Sequence, residues 1–327
     1  MVKVGIVGFG NLGKGVLSAL ETAIDMECSV IFSRRVEDIA KQVSNEILVL
    51  NPENWKFSDL NKDNMPDIVI LCGGSKDDVP IQGPMFAKWF STVDSYDTHA
   101  KIPEYMQEME KAARNNDNVA IISTGWDPGL FSLMRVLFKS ILPCSEDYTF
   151  WGTGVSQGHS DAIRTIDGVL DARQYTIPID EAINSVRSGA NPVLSIREKH
   201  KRVCYVVAKE KANLDEIEKS IKKMPNYFSD YDTEVNFVSL EELKKNHSEL
   251  PHGGFVLSSG TTDRYQQSIE FGLKLESNPY FTGSVLVAYA RAAYRFKQQE
   301  IFGAFTVLDI PPKLLSPLSA EDLIKMI

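Results

Sequence analysis

The first third of the chain alternates short apolar runs with amphipathic stretches. Val2–Val7 is rich in β-branched residues, which is the composition of a strand packed within a sheet. Residues 11–20 then place Leu12, Val16 and Leu20 at intervals of four, so that they share one face of a helix. The opening of the chain therefore predicts a strand, a turn and an amphipathic helix.

The same alternation continues to residue 122. Apolar runs at 28–32, 67–72, 91–93 and 119–122 predict strands, and the pattern over 103–114 predicts a helix. The run at 67–72 is almost continuously apolar, as a parallel strand buried on both faces requires. We therefore predict an α/β fold with a Rossmann-type, doubly wound parallel sheet of five strands.

Ligands of doubly wound sheets bind at the carboxyl ends of the strands. In the predicted sheet these ends carry Gly8, Ser33 and the segments 73–74, 94–97 and 123–127. We expect the functional site to include these positions.

Beyond Pro128 strand patterns are separated by helices and turns, which predicts a second, α+β domain with a mixed sheet. We expect a dinucleotide-binding domain over 1–120, completed by about 295–327, and a domain for substrate binding and dimerisation over 121–294. Strands are predicted at 148–151, 174–177, 202–208, 234–238 and 255–259, helices at 214–223 and 281–299, and a late strand at 303–310 that returns to the first domain.

The length, net charge and cysteine content of the chain limit the kinds of partner and the cellular location that it can have. A chain of 327 residues exceeds the usual size of a single core, and its net charge of −9 argues against a surface for nucleic acid. The sequence contains no apolar run that could span a bilayer and no secretory leader. The cysteines are far apart and lack metal-ligand spacing, so we expect no disulfide framework, no metal site and a cytoplasmic location. They are Cys28, Cys72, Cys144 and Cys204.

Gly8, Gly10 and Gly13 match the pattern G-x-G-x-x-G between the first strand and the first helix. In dinucleotide-binding folds these glycines make the tight turn, admit the pyrophosphate and let helix and strand approach. The helix N-terminus adds free N–H groups and a positive dipole end. The pattern predicts a nucleotide site, with a merely tight strand-to-helix turn as the alternative.

The second strand ends in Ser33, Arg34 and Arg35, where an NAD-binding protein would carry an acidic residue for the ribose 2′-hydroxyl. Two guanidinium groups and a hydroxyl suit a 2′-phosphate in charge and geometry. This favours NADP as the cofactor. The alternative is an ordinary solvated basic turn.

Several uncommon blocks occur in order along the chain: STGWDPG at 123–129, FWG at 150–152, SQGHSD at 156–161, PHGG at 251–254 and GAFTV at 303–307. Together with the glycine motif they closely resemble meso-diaminopimelate dehydrogenase, essentially from end to end. The resemblance implies NADP-dependent, reversible oxidative deamination at the D-centre of meso-2,6-diaminopimelate. The products would be L-2-amino-6-oxopimelate (tetrahydrodipicolinate) and ammonia, in lysine and cell-wall precursor synthesis. It also implies a homodimer built through the second domain.

The resemblance also implies roles for individual residues. Asp97 and Asp127 correspond to catalytic residues at the reacting amine, and Trp151 corresponds to a tryptophan that lines their pocket. Further substrate contacts would come from Gln157, Gly158, Thr176, Arg202, His252 and Asn278. Cofactor contacts would come from Gly8, Phe9, Gly10, Asn11, Leu12, Gly13, Ser33, Arg34, Arg35, Cys72, Gly73, Gly74, Ser75, Ser95, Tyr96, Asp97, Thr124, Gly125, Trp126, Asp127 and Pro128.

The chemistry of the carboxylate and guanidinium side chains is consistent with the roles that the resemblance implies. Carboxylates at 97 and 127 can accept hydrogen bonds from the reacting amine, orient its Cα–H and assist the proton loss that precedes hydride departure, without either being assigned as the single general base. A guanidinium at 202 fits a distal carboxylate better than a lysine.

Structural alternatives remain for the same residues. Asp127 followed by Pro128 is also typical of a helix N-cap, and Asp97 of a turn. Arg202 ends a basic run that could be a solvated loop, and His252 precedes two glycines, where a histidine is more often structural. Trp151 could be core, and the roles of Thr176 and Asn278 rest on the resemblance alone.

Two other functions stay open. One is an NADP-linked dehydrogenase or reductase acting on a different amino acid or an aldehyde, although none of the four cysteines lies in a motif for thioester chemistry. The other is a non-catalytic NADP-sensing protein. Paired aspartates opposite an arginine favour the enzyme.

Overall fold

The computed structural model describes all 327 residues. The strands are β1 (Val2–Val7), β2 (Met26–Phe32), β3 (Leu48–Leu50), β4 (Ile68–Leu71), β5 (Ser91–Asp94), β6 (Val119–Ile121), β7 (Glu146–Trp151), β8 (Gly154–Val155), β9 (Val169–Pro178), β10 (His200–Ala208), β11 (Asp232–Phe237), β12 (His252–Thr262), β13 (Tyr265–Leu275) and β14 (Gly303–Phe305). The helices are α1 (Asn11–Glu21), α2 (Val36–Ala40), α3 (Val79–Ala87), α4 (Ile102–Arg114), α5 (Leu130–Ile141), α6 (Gln157–Arg164), α7 (Asp180–Arg187), α8 (Ile196–Lys199), α9 (Leu214–Lys223), α10 (Leu240–Asn246), α11 (Asn278–Gln298) and α12 (Ala320–Ile324).

The chain forms two compact units, the first from residues 1–133 and 279–327 and the second from 134–278. The second boundary differs from 295 because helix α11 belongs to the first unit along most of its length, and the first differs from 120 because the loop after β6 and the start of α5 also belong to that unit. Its buried residues, among them Leu286 and Ala290, lie in the same apolar core as Val16 and Leu20 of α1.

The first unit is built on a parallel sheet in the order β14-β6-β5-β4-β1-β2-β3. The strand order reverses direction beside β1, which pairs with β2 on one side and β4 on the other. In doubly wound sheets the ligand crevice forms at such a reversal. The predicted fold class is confirmed, and the glycine turn after β1 lies at the point where a nucleotide would bind.

This sheet has seven strands, so the prediction of five is wrong. The additional strands, β3 and β14, form its two edges and have three residues each. Strand β3 was not predicted, because a run this short carries no periodic signal. The expected return of the chain to the first domain at 303–310 is confirmed, although the strand ends at Phe305.

Helices α1 and α11 pack at backbone contact. A Cβ on Gly15 would overlap the backbone of Pro279 and Tyr280, and a Cβ on Gly283 would overlap that of Gly15 and Val16. Only glycine permits such an approach. The helix that carries the nucleotide turn is thus fixed by the C-terminal part of the chain.

The second unit contains two sheets, in the orders β11-β10-β9-β8 and β13-β12-β7. The first is mixed, since β10 is parallel to β11 and antiparallel to β9, and the second is antiparallel. The predicted mixed-sheet domain is confirmed. Strands β8 and β13 were not predicted.

None of the helices combines the length and the apolar composition needed to cross a membrane.

Candidate functional site

The turn from β1 to α1 leaves open the space that a dinucleotide would occupy. Gly8 has φ +90°, and a Cβ on Gly13 would overlap the carbonyl oxygen of Gly8, so helix and strand approach closely. A Cβ on Gly10 would meet nothing within 4 Å, which makes this the open side of the turn. Helix α1 has no capping side chain and no acidic residue in its first turn. Its free N–H groups can therefore receive an anion.

A cavity of about 380 Å³ lies beside this turn. The Oγ of Ser33 accepts a hydrogen bond from the main-chain N–H of Arg35 (3.2 Å), and the Arg35 guanidinium donates to the carbonyl of Phe9 (3.0 Å). The lining comprises nine predicted cofactor residues, Gly8, Phe9, Gly10, Ser33, Arg34, Arg35, Cys72, Gly73 and Gly74, and four that were missed, Phe32, Pro52, Asp78 and Gln82.

The cavity fits a dinucleotide with a 2′-phosphate. Arg34 and Arg35 both line it, and its carboxylate, Asp78, lies on the loop after β4 and not at the end of β2, where NAD-specific sites carry theirs. Asp78 accepts from the N–H of Gly74 (3.0 Å) and pairs with Arg34 at 3.4 Å. The guanidinium of Arg34 is mostly exposed, so this pair is weak and leaves the arginine available to a phosphate.

The other predicted cofactor residues lie outside the lining of this cavity. They are Asn11, Leu12, Gly13, Ser75, Ser95, Tyr96, Asp97, Thr124, Gly125, Trp126, Asp127 and Pro128. Tyr96 is buried, with its ring 4.4 Å from that of Tyr105. Only its main chain could therefore reach a cofactor.

The predicted catalytic residues Asp97 and Asp127 follow neighbouring strands of the sheet, β5 and β6. Asp97 is exposed, and its main-chain N–H donates to the Oγ of Ser75 (2.9 Å). Asp127 is half-buried in the segment that precedes α5. Because the strands are parallel, both carboxylates belong to the edge of the sheet that carries the glycine turn.

The interpretation of Asp127 as a helix N-cap is wrong. Helix α5 begins at Leu130, and the N–H of Leu130 bonds back to the carbonyl of Gly125. Trp126 and Gly129 form an isolated antiparallel bridge that closes the intervening turn. Pro128 therefore lies in this turn and not in the first turn of the helix.

Asp94, at the end of β5, lies in the segment 94–97 expected at the site but was assigned no role there, and its carboxylate is fully buried beneath these loops. It accepts hydrogen bonds from main-chain N–H groups of both loops. Burial raises the pKa of Asp94 to about 6 against the lowering effect of these bonds. Sequence offers no signal for this role, because the partners become neighbours only in the fold.

In the second unit Thr176 and Arg202 lie directly opposite each other on β9 and β10. The Arg202 guanidinium donates to the Thr176 hydroxyl and stacks 3.9 Å above the ring of Tyr231. Arg202 is 7% exposed, so the interpretation as a solvated loop is wrong. A buried cation held in this way is suited to a carboxylate.

Thr176 and His252, two of the predicted substrate residues, lie against the segment 151–154. A Cβ on Gly152 would overlap the carbonyl of Thr176, and one on Gly154 would lie 3.4 Å from the ring of His252. The Leu250 carbonyl lies 3.3 Å from Nδ1 of His252 and accepts from the N–H of Asn278 (3.2 Å). Burial lowers the pKa of His252. Helix α6, which follows β8, begins with Gln157 and Gly158.

Trp151 is 40% exposed, so it is not a core residue. Its main-chain N–H donates to Nε2 of His200 (2.8 Å), and the two rings stack with their centroids 5.4 Å apart. Burial, with the nearby charge of Arg202, lowers the pKa of His200 to about 4. His200 was not predicted, and its uncharged ring provides an acceptor that orients Trp151.

Comparisons with known proteins agree with this arrangement. Residues 125–277 match the family described as diaminopimelic acid dehydrogenase C-terminal domain. The meso-diaminopimelate D-dehydrogenase of Ureibacillus thermosphaericus is 57% identical over 99% of this chain and 98% of the relative.

Solved structures are similar over the whole chain. A six-fold mutant of meso-DAP dehydrogenase from Clostridium tetani, crystallised with DAP, has a TM-score of 0.91 at 50% identity and covers 100% of both chains. An engineered D-amino acid dehydrogenase bound to NADP+ has a TM-score of 0.83 at 42% identity, covering 99% of this chain and 98% of the other.

Proposed function

The chain belongs to the meso-diaminopimelate D-dehydrogenase family, and on that premise we propose which of its residues perform the reaction. The reaction is the NADP-dependent, reversible oxidative deamination of meso-2,6-diaminopimelate at its D-centre. It consumes water, reduces NADP to NADPH, and gives L-2-amino-6-oxopimelate (tetrahydrodipicolinate) and ammonia. The observation that carries the assignment of residues is the pair of carboxylates, Asp97 and Asp127, on adjacent loops at the nucleotide-binding edge of the sheet.

The first unit binds the cofactor. The N–H groups at the start of α1 receive the pyrophosphate, while Ser33, Arg34 and Arg35 hold the 2′-phosphate. When bound, NADP accepts the hydride from the substrate carbon. The protein holds that carbon in position and provides the electrostatic field around it.

Asp97 and Asp127 act on the reacting amine. Their carboxylates accept its N–H bonds and thereby fix the direction of the neighbouring Cα–H. They also favour the loss of the proton that must leave nitrogen before the hydride departs. Two carboxylates on separate loops define the orientation of the amine better than one, because each restricts a different N–H direction.

Residues of the second unit hold the distal amino-acid group. Arg202 binds its carboxylate, aided by Thr176, His252 and Asn278, while Trp151, Gln157 and Gly158 line the site. The Clostridium tetani mutant supports this proposal, because its six substitutions replace Gln, Thr, Arg, Pro, His and Asn in that order. This chain has the same residue types in the same order, and the spacings of the first five agree: Gln157, Thr176, Arg202, Pro251, His252 and Asn278.

The second unit also forms the interface of a homodimer. Strand β13 is eleven residues long and forms the edge of its sheet, with most of its residues exposed. A long, uncovered edge strand is a ready surface for pairing with a second copy. Light scattering is expected to give twice the mass of the chain. A monomer at micromolar concentration would contradict this.

The test of function is the reduction of NADP by purified protein with meso-diaminopimelate. We expect NADP to be preferred over NAD, and the LL isomer, which lacks a D-centre, to be inactive. Asp97→Asn and Asp127→Asn should each lower kcat by about 100-fold, the size of a lost general acid–base contribution. Activity with another amino acid alone would assign a different substrate. No activity with a broad amino-acid panel would favour an NADP sensor.

A further inference from the structure

Asp94 is fully buried, and its carboxylate joins two loops. The main-chain N–H of Tyr96 donates to its Oδ1 at 2.9 Å, and the main-chain N–H of Ser123 donates to the same oxygen at 3.0 Å. The Tyr105 hydroxyl on α4 donates to Oδ2 at 2.8 Å. One carboxylate therefore binds the loop after β5, the loop after β6 and the helix between these strands.

This connection starts where the sheet ends. The pairing of β5 with β6 stops at Val93 and Ile121, so no ladder hydrogen bond between these two strands continues beyond it. The carbonyl of Asp94 accepts from both the N–H and the hydroxyl of Thr124, at 2.8 and 2.7 Å. Main chain and side chain of Asp94 thus extend the contact between the two strands past the last residue pair.

Each loop leads directly to one of the aspartates at the reacting amine. Tyr96 directly precedes Asp97, and Asp127 follows Ser123 by four residues in the loop after β6. Buried N–H groups need an acceptor, and a carboxylate is a strong one. A single acceptor for both loops makes the position of each depend on the other.

We propose that Asp94 is a positioning residue, whose Oδ1 holds the loops of Asp97 and Asp127 in the relative placement that the reacting amine requires. This proposal rests on the proposed function, because it takes those two aspartates as the contacts to the amine. Because its side chain is fully buried, Asp94 acts through the loops and not directly on substrate or cofactor. Its role is geometric, so it depends on an acceptor atom at Oδ1 and not on a negative charge.

The surroundings of Asp94 agree with a geometric role. Tyr105 and Tyr96 are the titratable groups that face it, both are buried, and no cationic side chain pairs with it. Asparagine can keep Oδ1 as the acceptor of both N–H groups and donate from Nδ2 to the Tyr105 oxygen. Serine is too short to reach both loops, although it leaves room for a water that satisfies the N–H groups.

The test compares Asp94→Asn, Asp94→Ser and a matched control, Ser91→Ala. Ser91 is equally buried at the opposite end of β5, where its Oγ accepts from the main-chain N–H of Val119 on β6 (3.0 Å). The control therefore removes a side-chain contact between the same two strands, but far from the loops. For each variant, kcat and KM with meso-diaminopimelate, Kd for NADP and the melting temperature are measured.

We expect Asp94→Ser to lower kcat by about 10- to 100-fold, since a displacement of roughly 1 Å at reacting groups costs this much. Its Kd for NADP should change less than kcat does, because the glycine turn and the arginine pocket are untouched. Asp94→Asn should keep kcat within about threefold of the parent, given that its acceptor remains. Ser91→Ala should lower the melting temperature while kcat is retained.

Three results would overturn the proposal: full activity of Asp94→Ser, equal loss in Asp94→Asn and Asp94→Ser, or equal loss in Ser91→Ala. If the serine variant does not fold, the asparagine variant decides alone. Amide hydrogen exchange over 95–97 and 123–127 should accelerate in Asp94→Ser and not in Ser91→Ala. This measurement is independent of activity. It therefore separates failure of the positioning role of Asp94 from failure of the roles assigned to Asp97 and Asp127.

Discussion

Replacing Arg34 and Arg35 together with glutamine should weaken NADP binding by about 30- to 150-fold and leave NAD binding within about threefold. Each arginine can make charge-assisted bonds to a 2′-phosphate, worth roughly 1–1.5 kcal/mol apiece at an exposed position. Arg34 loses little on binding a phosphate, since its ion pair with Asp78 spans 3.4 Å and the arginine side chain is mostly exposed. The two losses together are about 2–3 kcal/mol, or roughly two orders of magnitude in Kd.

Calorimetric titration of both dinucleotides at two salt concentrations would measure this difference. The double variant Lys41→Gln/Lys88→Gln is the matched control, because it removes the same charge from exposed positions that do not line the cavity. The preference for NADP should also shrink in the parent protein as salt rises. Equal weakening of NADP and NAD in the arginine variant would refute a 2′-phosphate site at this turn.

Three further predictions concern the buried groups. Arg202→Lys should raise KM for meso-diaminopimelate by about 10- to 100-fold, since lysine cannot bind a carboxylate through two parallel bonds, and kinetics with D-lysine as a control should change less. The pKa of His200 is lowered to about 4, so in the range from about pH 6.5 down to 4 only the unfolded state gains a proton at this residue. The stability of the protein should therefore fall as the pH drops through this range. Thermal unfolding of His200→Asn should show a smaller fall in melting temperature over the same range. Asp25→Ala should lower the melting temperature by about 5–10 °C, because it leaves the buried guanidinium of Arg291 without its carboxylate partner. Adding Arg291→Met to the same chain should recover most of this loss.

Local signals explain what the sequence could predict. The turn at Gly8 and the basic pair at Arg34 and Arg35 are short motifs whose chemistry depends on neighbours in the chain. Strand β13 escaped prediction because the polar run at 266–268 interrupts its alternation and most of its residues are exposed. A strand without a buried face has no binary pattern to detect.

The features that the sequence could not predict depend on contacts between residues that are distant in the chain. Asp94 accepts from Ser123, 29 positions away in the chain, and no spacing announces such a bond. Likewise, the partner of Arg202, Tyr231, becomes visible only once β10 and its neighbours are formed. At Asp127 the local helix-start signal, which had offered the alternative of an N-cap, is overridden by the turn ahead of Leu130.

The division of the first unit into two stretches of chain, 1–133 and 279–327, bears on how the protein is made. On the ribosome, the second unit has its whole sequence available before the first unit does. The nucleotide-binding sheet still lacks its edge strand β14 and the helix that packs on α1 until translation is almost finished. We therefore expect the usual order of N-terminal before C-terminal folding to be reversed here. Nascent chains released before residue 303 should contain a folded second unit and an exposed, incomplete nucleotide-binding half.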